Sequence, residues 1–256
     1  LINLYDKTTE DFIRAKRNAA ITPWTVPIVR NDTVWLGGLI MSDLTGAVAW
    51  DLESDSMTYF GPVPVEYHRS AEGVGQYMGF WPYPVLTGRA DTLISGMSGS
   101  DYLFVLDHAG QVIEALRIPF ARRRGVPEGV VDKFESPSLT AKKAFGATSA
   151  LVSLHHLPDA RLALAHIDQL LEGDDPRMAQ VSAKLFITLI ATDRRSACVD
   201  GVVPVRGDLT PQVAFRADTL FVLDHRIIED RLDSWIVRFQ IVENTCDWAP
   251  VPSLTQ

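Results

Sequence analysis

An all-β fold, and within it a β-propeller of four-stranded antiparallel blades, is the architecture this sequence predicts. Three observations point to it. The pentad Arg89-Ala90-Asp91-Thr92-Leu93 returns at Arg216-Ala217-Asp218-Thr219-Leu220, and self-similarity over a long interval marks stacked or radially arranged units. Short stretches rich in β-branched and aromatic residues alternate with clusters of Gly, Asp, Asn and Pro, which is the pattern of strands and turns. Three of the stretches close on Pro64, Pro119 and Pro204; proline cannot donate to a ladder, so it marks a strand end or an edge.

The strands follow in chain order. Positions 1–6 read as a third strand and 11–14 as a fourth, so residues 1–18 form the trailing half of a blade. Half a blade has an apolar face in need of a partner, and the expectation is a chain incomplete at its N-terminus. The first full blade, about 21–64, has strands at 25–29, 33–37, 47–52 and 57–63. The second, about 82–119, has them at 83–86, 92–96, 102–107 and 112–118. The third, about 149–205, is degenerate, with strands at 151–154, 161–166, 185–190 and 197–203. Its stretch His166-Ile167-Asp168-Gln169-Leu170-Leu171 suits a helix almost as well as a strand, so a helical turn is allowed after His166. The fourth, about 209–242, has strands at 211–215, 219–224 and 235–242 and no clear fourth strand. Val34, Leu93, Leu162 and Leu220 occupy equivalent positions at intervals of roughly 60–70 residues, longer than the ~40–50 of common blades, so loops are inserted. The expectation is one domain over 1–256, about four full blades plus a partial one. Asp51, Asp107 and Asp193 end third strands at equivalent places, which predicts Asx turn capping and not catalysis.

Bulk properties narrow the partners. The chain of 256 residues is 46% hydrophobic and 22% charged, ordinary values for a globular domain. Its net charge of −8 argues against nonspecific binding to nucleic acid or anionic lipid, which needs basic surface. No apolar run approaches the ~18–20 residues of a membrane-spanning helix. Cys198 and Cys246 lie on adjacent units. In an oxidising compartment they could close a loop worth on the order of 4 kcal/mol; the favoured expectation leaves them as two buried thiols that never meet. Without a Cys-x-x-Cys, no structural zinc site is expected.

The long insertions locate a binding surface. In an antiparallel meander the turns joining strands one to two and three to four lie on one side. The connections from two to three, and those crossing to the next blade, lie on the other. Segments 66–83, 120–148 and 172–183 all belong to the second class, and long loops inside a compact domain are usually binding elements. The first carries His68, Arg69, Tyr77 and Trp81 beside Gly73, Gly75 and Gly79, aromatic anchors suited to a ligand or peptide or to a lid over the blades. The second opens with Arg122, Arg123 and Arg124, suited to carboxylate or phosphate; the plainer alternative pairs them with Glu128 and Asp132. The third holds Glu172, Asp174 and Asp175, a solvated acidic turn.

Other motifs carry less. Gly96-Met97-Ser98-Gly99-Ser100 lacks the final glycine and the strand-to-helix turn of a nucleophile elbow, and reads as a hairpin loop. Gly73-Val74-Gly75-Gln76-Tyr77-Met78-Gly79 misses the dinucleotide fingerprint by one position. His155 and His156 should point to opposite faces of their strand, a poor chelating pair. One of them could face a central channel, and a satisfied structural role is expected.

The segments 89–119 and 216–242, with Asp101-Tyr102-Leu103-Phe104-Val105-Leu106-Asp107, make the chain resemble six-bladed β-propellers of the NHL-repeat kind found among bacterial secreted proteins and lipoproteins. The resemblance covers most of the chain and implies a ring of six and an extracytoplasmic location. It leaves room for a lipid anchor on a missing N-terminus. It brings no catalytic residues with it, because its motifs are those of blades and turns. The expected function is therefore non-enzymatic binding of a small acidic ligand or a protein by the loop-rich face, without cofactor or metal. The alternative is a hydrolase or lactonase-like propeller with a metal in its channel. Against it, the first strands at 25–29, 83–86 and 211–215 contain no carboxylate, and a metal would need several such ligands to converge.

Overall fold

The computed structural model describes residues 2–5, 9, 12–16, 27–40, 45–64, 84–89, 92–107, 109–119, 149–172, 180–206, 211–229, 231–242, 246 and 248–254. Every regular element among them is a strand. A hairpin of β1 (Ile2–Tyr5) and β2 (Phe12–Lys16) comes first. Blade one is β3 (Ile28–Arg30), β4 (Thr33–Ile40), β5 (Thr45–Asp51) and β6 (Met57–Pro62). Blade two is β7 (Pro84–Arg89), β8 (Thr92–Met97), β9 (Tyr102–Leu106) and β10 (Val112–Arg117). Blade three is β11 (Ser149–His156), β12 (Leu162–Glu172), β13 (Gln180–Ile190) and β14 (Ser196–Val203). Blade four has three strands, β15 (Gln212–Arg216), β16 (Thr219–Ile228) and β17 (Arg231–Gln240). Two short strands follow, β18 (Trp248–Pro250) and β19 (Ser253–Leu254).

Each blade is an antiparallel meander in sequence order, and the four are arranged as propeller blades. The first strands lie innermost, β7 against β11 and β11 against β15. They run the same way. The Arg30 guanidinium at the end of β3 reaches Gly88 near the end of β7; Arg89 Nη1 at the end of β7 donates to Leu157 O, just past β11, at 3.5 Å; His155 Nε2 lies 3.1 Å from Ala217 O, just past β15. The ends of all four first strands therefore gather at one side, the turn side. By the same register, β6 and β10 end on the opposite side, where β12 ends and β13 begins.

The core lies between blades, and each middle strand serves two of them. Leu93, Leu106 and Phe104 face blade one with Ala47, Phe60 and Trp35. Their neighbours Ile94, Leu103 and Val105 face blade three with Leu151, Leu162 and Leu164. Because successive side chains point to opposite faces, a strand buried on both must be apolar at every position, which is why Leu103–Leu106 shows no polar alternation. Burying each such leucine contributes roughly 1.5–3 kcal/mol. Blade four packs Leu220, Val222 and Phe215 against Ala165, Ile167 and Leu185 of blade three. Its outer face leaves Leu232 and Ile236 exposed.

Gly110, in the turn between β9 and β10, has φ +79°, and a Cβ there would stand 2.7 Å from Cβ of Phe60 in blade one. Left-handed backbone disfavours a side chain, and the crowding adds to it. Gly110→Ala is expected to cost about 2 kcal/mol, read as a lower urea midpoint at unchanged slope; an unshifted midpoint would show that this turn does not set the spacing of blades one and two.

The structure corrects three expectations and adds two strands that the sequence reading did not assign. Residues 167–171 are strand, not a helical turn: β12 runs unbroken to Glu172, paired residue for residue with β13. The insertion placed at 172–183 shrinks accordingly to 173–179 between strands. Residues 248–254 form β18 and β19, which extend the outer edges of blade three at β14 and blade two at β10. Cys198 and Cys246 are joined in a disulfide, with Cα atoms 5.6 Å apart.

Candidate functional site

The residues expected to bind ligand, His68, Arg69, Tyr77, Trp81, Arg122, Arg123 and Arg124, lie outside the described residues, as do Gly73–Gly79 and Asp174–Asp175. Among the described residues, chemistry-bearing side chains concentrate at the turn side of the inner strands. Each first strand carries a base at or beside its end, in one register for Arg30, Arg89 and Arg216 and one position further from the turn for His156. Arg30 pairs across to Thr33, Arg89 to Thr92, His156 to Leu162 and Arg216 to Thr219. The cause is the repeat itself: a strand, a basic residue, then a tight turn. In blades one and four that turn includes a non-glycine residue of positive φ, Asn31 at 49° and Ala217 at 52°.

Three of these bases converge. Alternation along the strands turns Arg30 towards blade two and Arg89 towards blade three, while His156 faces back towards blade two. Arg194, from the turn between β13 and β14, crosses to blade two, where its Nε donates to Glu114 Oε2 at 2.8 Å. Glu114 also accepts from Ser253 Oγ at 3.3 Å. Among the described residues Arg89 has no carboxylate partner; its hydrogen bond goes to the Leu157 carbonyl. Both ring nitrogens of His156 are buried and have no hydrogen-bond partner among the described residues. Burial, reinforced by the positive charges of Arg89, Arg30 and Arg194 and by His155, holds His156 at about 4, well below the ordinary histidine value. At neutral pH it is an uncharged imidazole with one donor and one acceptor.

The adjacent histidine behaves differently. His155 stacks on Phe215 with ring centroids 5.3 Å apart and planes at 2°, and bonds the Ala217 carbonyl. Burial lowers its pKa, and the carbonyl bond opposes that. The pair does point to opposite faces. The expected structural, satisfied role holds for His155 and fails for His156, whose ring nitrogens find no acceptor among the described residues.

Elsewhere the polar groups serve the scaffold. The Asx turns form as expected: Asp51 Oδ1 accepts from Ser54 N at 2.7 Å, Asp107 Oδ1 from Ala109 N at 2.9 Å and Gln111 N at 2.8 Å, and Asp193 Oδ1 from Arg195 N at 3.0 Å. Gly96 and Met97 end β8 and Ser98–Ser100 enter the expected hairpin connection to β9, with Ser100 N donating to Met97 O at 3.1 Å. His166 and Asp200 lie 3.4 Å apart inside blade three, and the His166 ring stacks on Phe186. That pair is closed to solvent and spans β12 to a bulge in β14, where Asp200 has φ 56°. Among the described residues no group of three or more His, Cys, Asp or Glu side chains is placed to hold a metal ion, and no helix is long and apolar enough to cross a membrane.

Sequence reasoning missed the Arg30–Arg89–His156 grouping. A signal existed, because a basic residue directly precedes the turn in three repeat units and stands one position earlier, at His156, in the other. What the repeat did not reveal is that inner strands bring those positions together.

No protein-family model matches the chain, and no curated protein matches it. Solved structures similar in three dimensions include the following two. One is a member of the duf4221 family from Bacteroides vulgatus, 10% identical with a TM-score of 0.47, covering 84% of this chain; this chain spans 63% of that one. The other is a protein provisionally assigned as a 6-phosphogluconolactonase from Bacteroides uniformis, 11% identical with a TM-score of 0.41, covering 98% of this chain and 77% of that one.

Proposed function

We propose that this chain is a non-enzymatic binding propeller, acting outside the cytoplasm, that recognises an acidic ligand or protein through the side from which its long connections leave. One observation carries the reading: β6, β10 and β12 all end on that side, so segments 65–83, 120–148 and 173–179 are anchored around a common rim. Aromatic His68, Tyr77 and Trp81 with Arg69 would give contact area, and Arg122, Arg123 and Arg124 would give charge-assisted bonds to carboxylate. The Cys198–Cys246 bridge supports an oxidising compartment, where such bonds persist. The exposed Leu232 and Ile236 on the outer face of blade four support a larger ring, the six-bladed NHL-like type being the proposed one. A lipid anchor would suit such a location.

An oligoglutamate peptide serves as the probe. The protein is expected to bind it, and the Arg122→Ala/Arg123→Ala/Arg124→Ala variant is expected to bind about tenfold or more weakly, with stability within roughly 0.5 kcal/mol of the parent. Equal binding by parent and variant would remove the arginines from the recognition surface.

A further inference from the structure

The opposite side of the propeller carries a second surface that the loop-face reading does not use. We propose that the turn side of the inner strands, at Arg30, Arg89 and His156, is a binding site for a small oxyanion, a phosphate or carboxylate group.

Three features meet there. Two guanidinium groups come from the ends of adjacent inner strands, β3 and β7, and arginine's planar fork matches the oxygens of a carboxylate or phosphate. Arg89, at the exposed rim, spends its hydrogen bond on a backbone carbonyl at 3.5 Å, long for a charged donor. Next to it both His156 nitrogens are buried without a partner among the described residues, and buried polar atoms left unpaired are costly and rare. An oxyanion beside His156 would accept from the ring N–H and from Arg89 together. The other charged groups around His156 are His155 on its own strand and Arg194, which is neutralised by Glu114 from β10. Asp159, in the following turn, is already held by Arg161 at 2.7 Å. Arg89 thus brings a guanidinium with no carboxylate partner among the described residues to a protein whose net charge is −8.

Charge linkage supplies a distinctive readout. Burial first, and then the arginines at close range, keep His156 neutral; an anion among them favours the protonated ring, so binding raises the His156 pKa towards its ordinary value. By the same linkage, the contribution of His156 to affinity for an anion of fixed charge increases as pH falls through the range between the ordinary value and about 4.

The test is an NMR titration of the His156 ring protons in the full chain, with inorganic phosphate and, separately, citrate, at ionic strength fixed with chloride. At least one anion is expected to shift the His156 resonances saturably and to move its titration midpoint upward. Arg89→Gln, at an exposed position, is expected to weaken that anion about tenfold or more at unchanged thermal midpoint. Binding of phosphate alone identifies a phosphoryl ligand, and of citrate alone a carboxylate ligand; both support the site. If neither shifts His156 more than chloride does, or if Arg89→Gln binds as the parent does, the site is refuted, whatever happens to oligoglutamate binding on the other side.

Discussion

Removing the Cys198–Cys246 bridge by a double Cys→Ala substitution is expected to lower the unfolding free energy by about 4 kcal/mol. The two cysteines are 48 residues apart, and β15, β16 and β17 all lie between them. The bridge therefore ties the entrance of blade four to its exit. Its loss enlarges the conformational freedom of the unfolded chain by that whole loop. The surroundings add a native-state contribution, because Cys198 packs in a cluster with Leu157, Ala163, Leu189, Phe215 and Trp248. Trp248 is also the residue through which β18 pairs with Cys198 on β14. Urea unfolding of oxidised parent and double variant measures the difference. A loss below about 1 kcal/mol would mean that packing against blade three alone fixes blade four.

Leu151→Ala is the second large effect, about 3 kcal/mol or more. Leu151 is fully buried in the cluster shared by blades two and three. Its backbone N–H donates to Ser98 O of blade two at 2.6 Å. Its Cδ2 lies 3.2 Å from where a Cβ at Gly96 would sit. Truncation opens a cavity between two β-sheets, each stiffened by its own ladder, so little collapse can relieve it. Gly96→Ala alone crowds Leu103 Cδ2 at 2.7 Å and is destabilising too. Combined with Leu151→Ala, its methyl enters the vacated space, so the double variant should be less destabilised than the sum of the singles, the signature of direct coupling. Strict additivity in chemical denaturation would show that these residues do not meet.

Much of the scaffold was legible before any coordinates. The strands at 102–107 and 112–118 were readable because Asp107 caps the turn between them and Pro119 closes the second. The repeat aligned Thr92 with Thr219, and both begin second strands. Blade three was harder. Its strands β12 and β13 run well past the repeat length, and Leu170-Leu171 resembles a helical face because local period cannot show which partner strand lies alongside. The disulfide was missed because two cysteines of distant sequence give no sign of a 5.6 Å Cα separation; only the return of residues 248–254 to blade three creates it. The candidate site on the turn side was hidden for a similar reason. Arg30, Arg89 and His156 are each unremarkable beside a turn, and they become a group only when three separate strands surround one axis.

The return path of residues 248–254 bears on how the molecule matures. Sheet rims with unpaired N–H and C=O groups are templates for pairing with other chains. In blades two and three those rims are β10 and β14, and each is capped over part of its length by β19 or β18. A nascent chain released only as far as residue 242 holds both rims open. Protection from intermolecular strand pairing thus waits on the return of residues 248–254, of which Val251 and Trp248 also pack into the clusters of blades two and three.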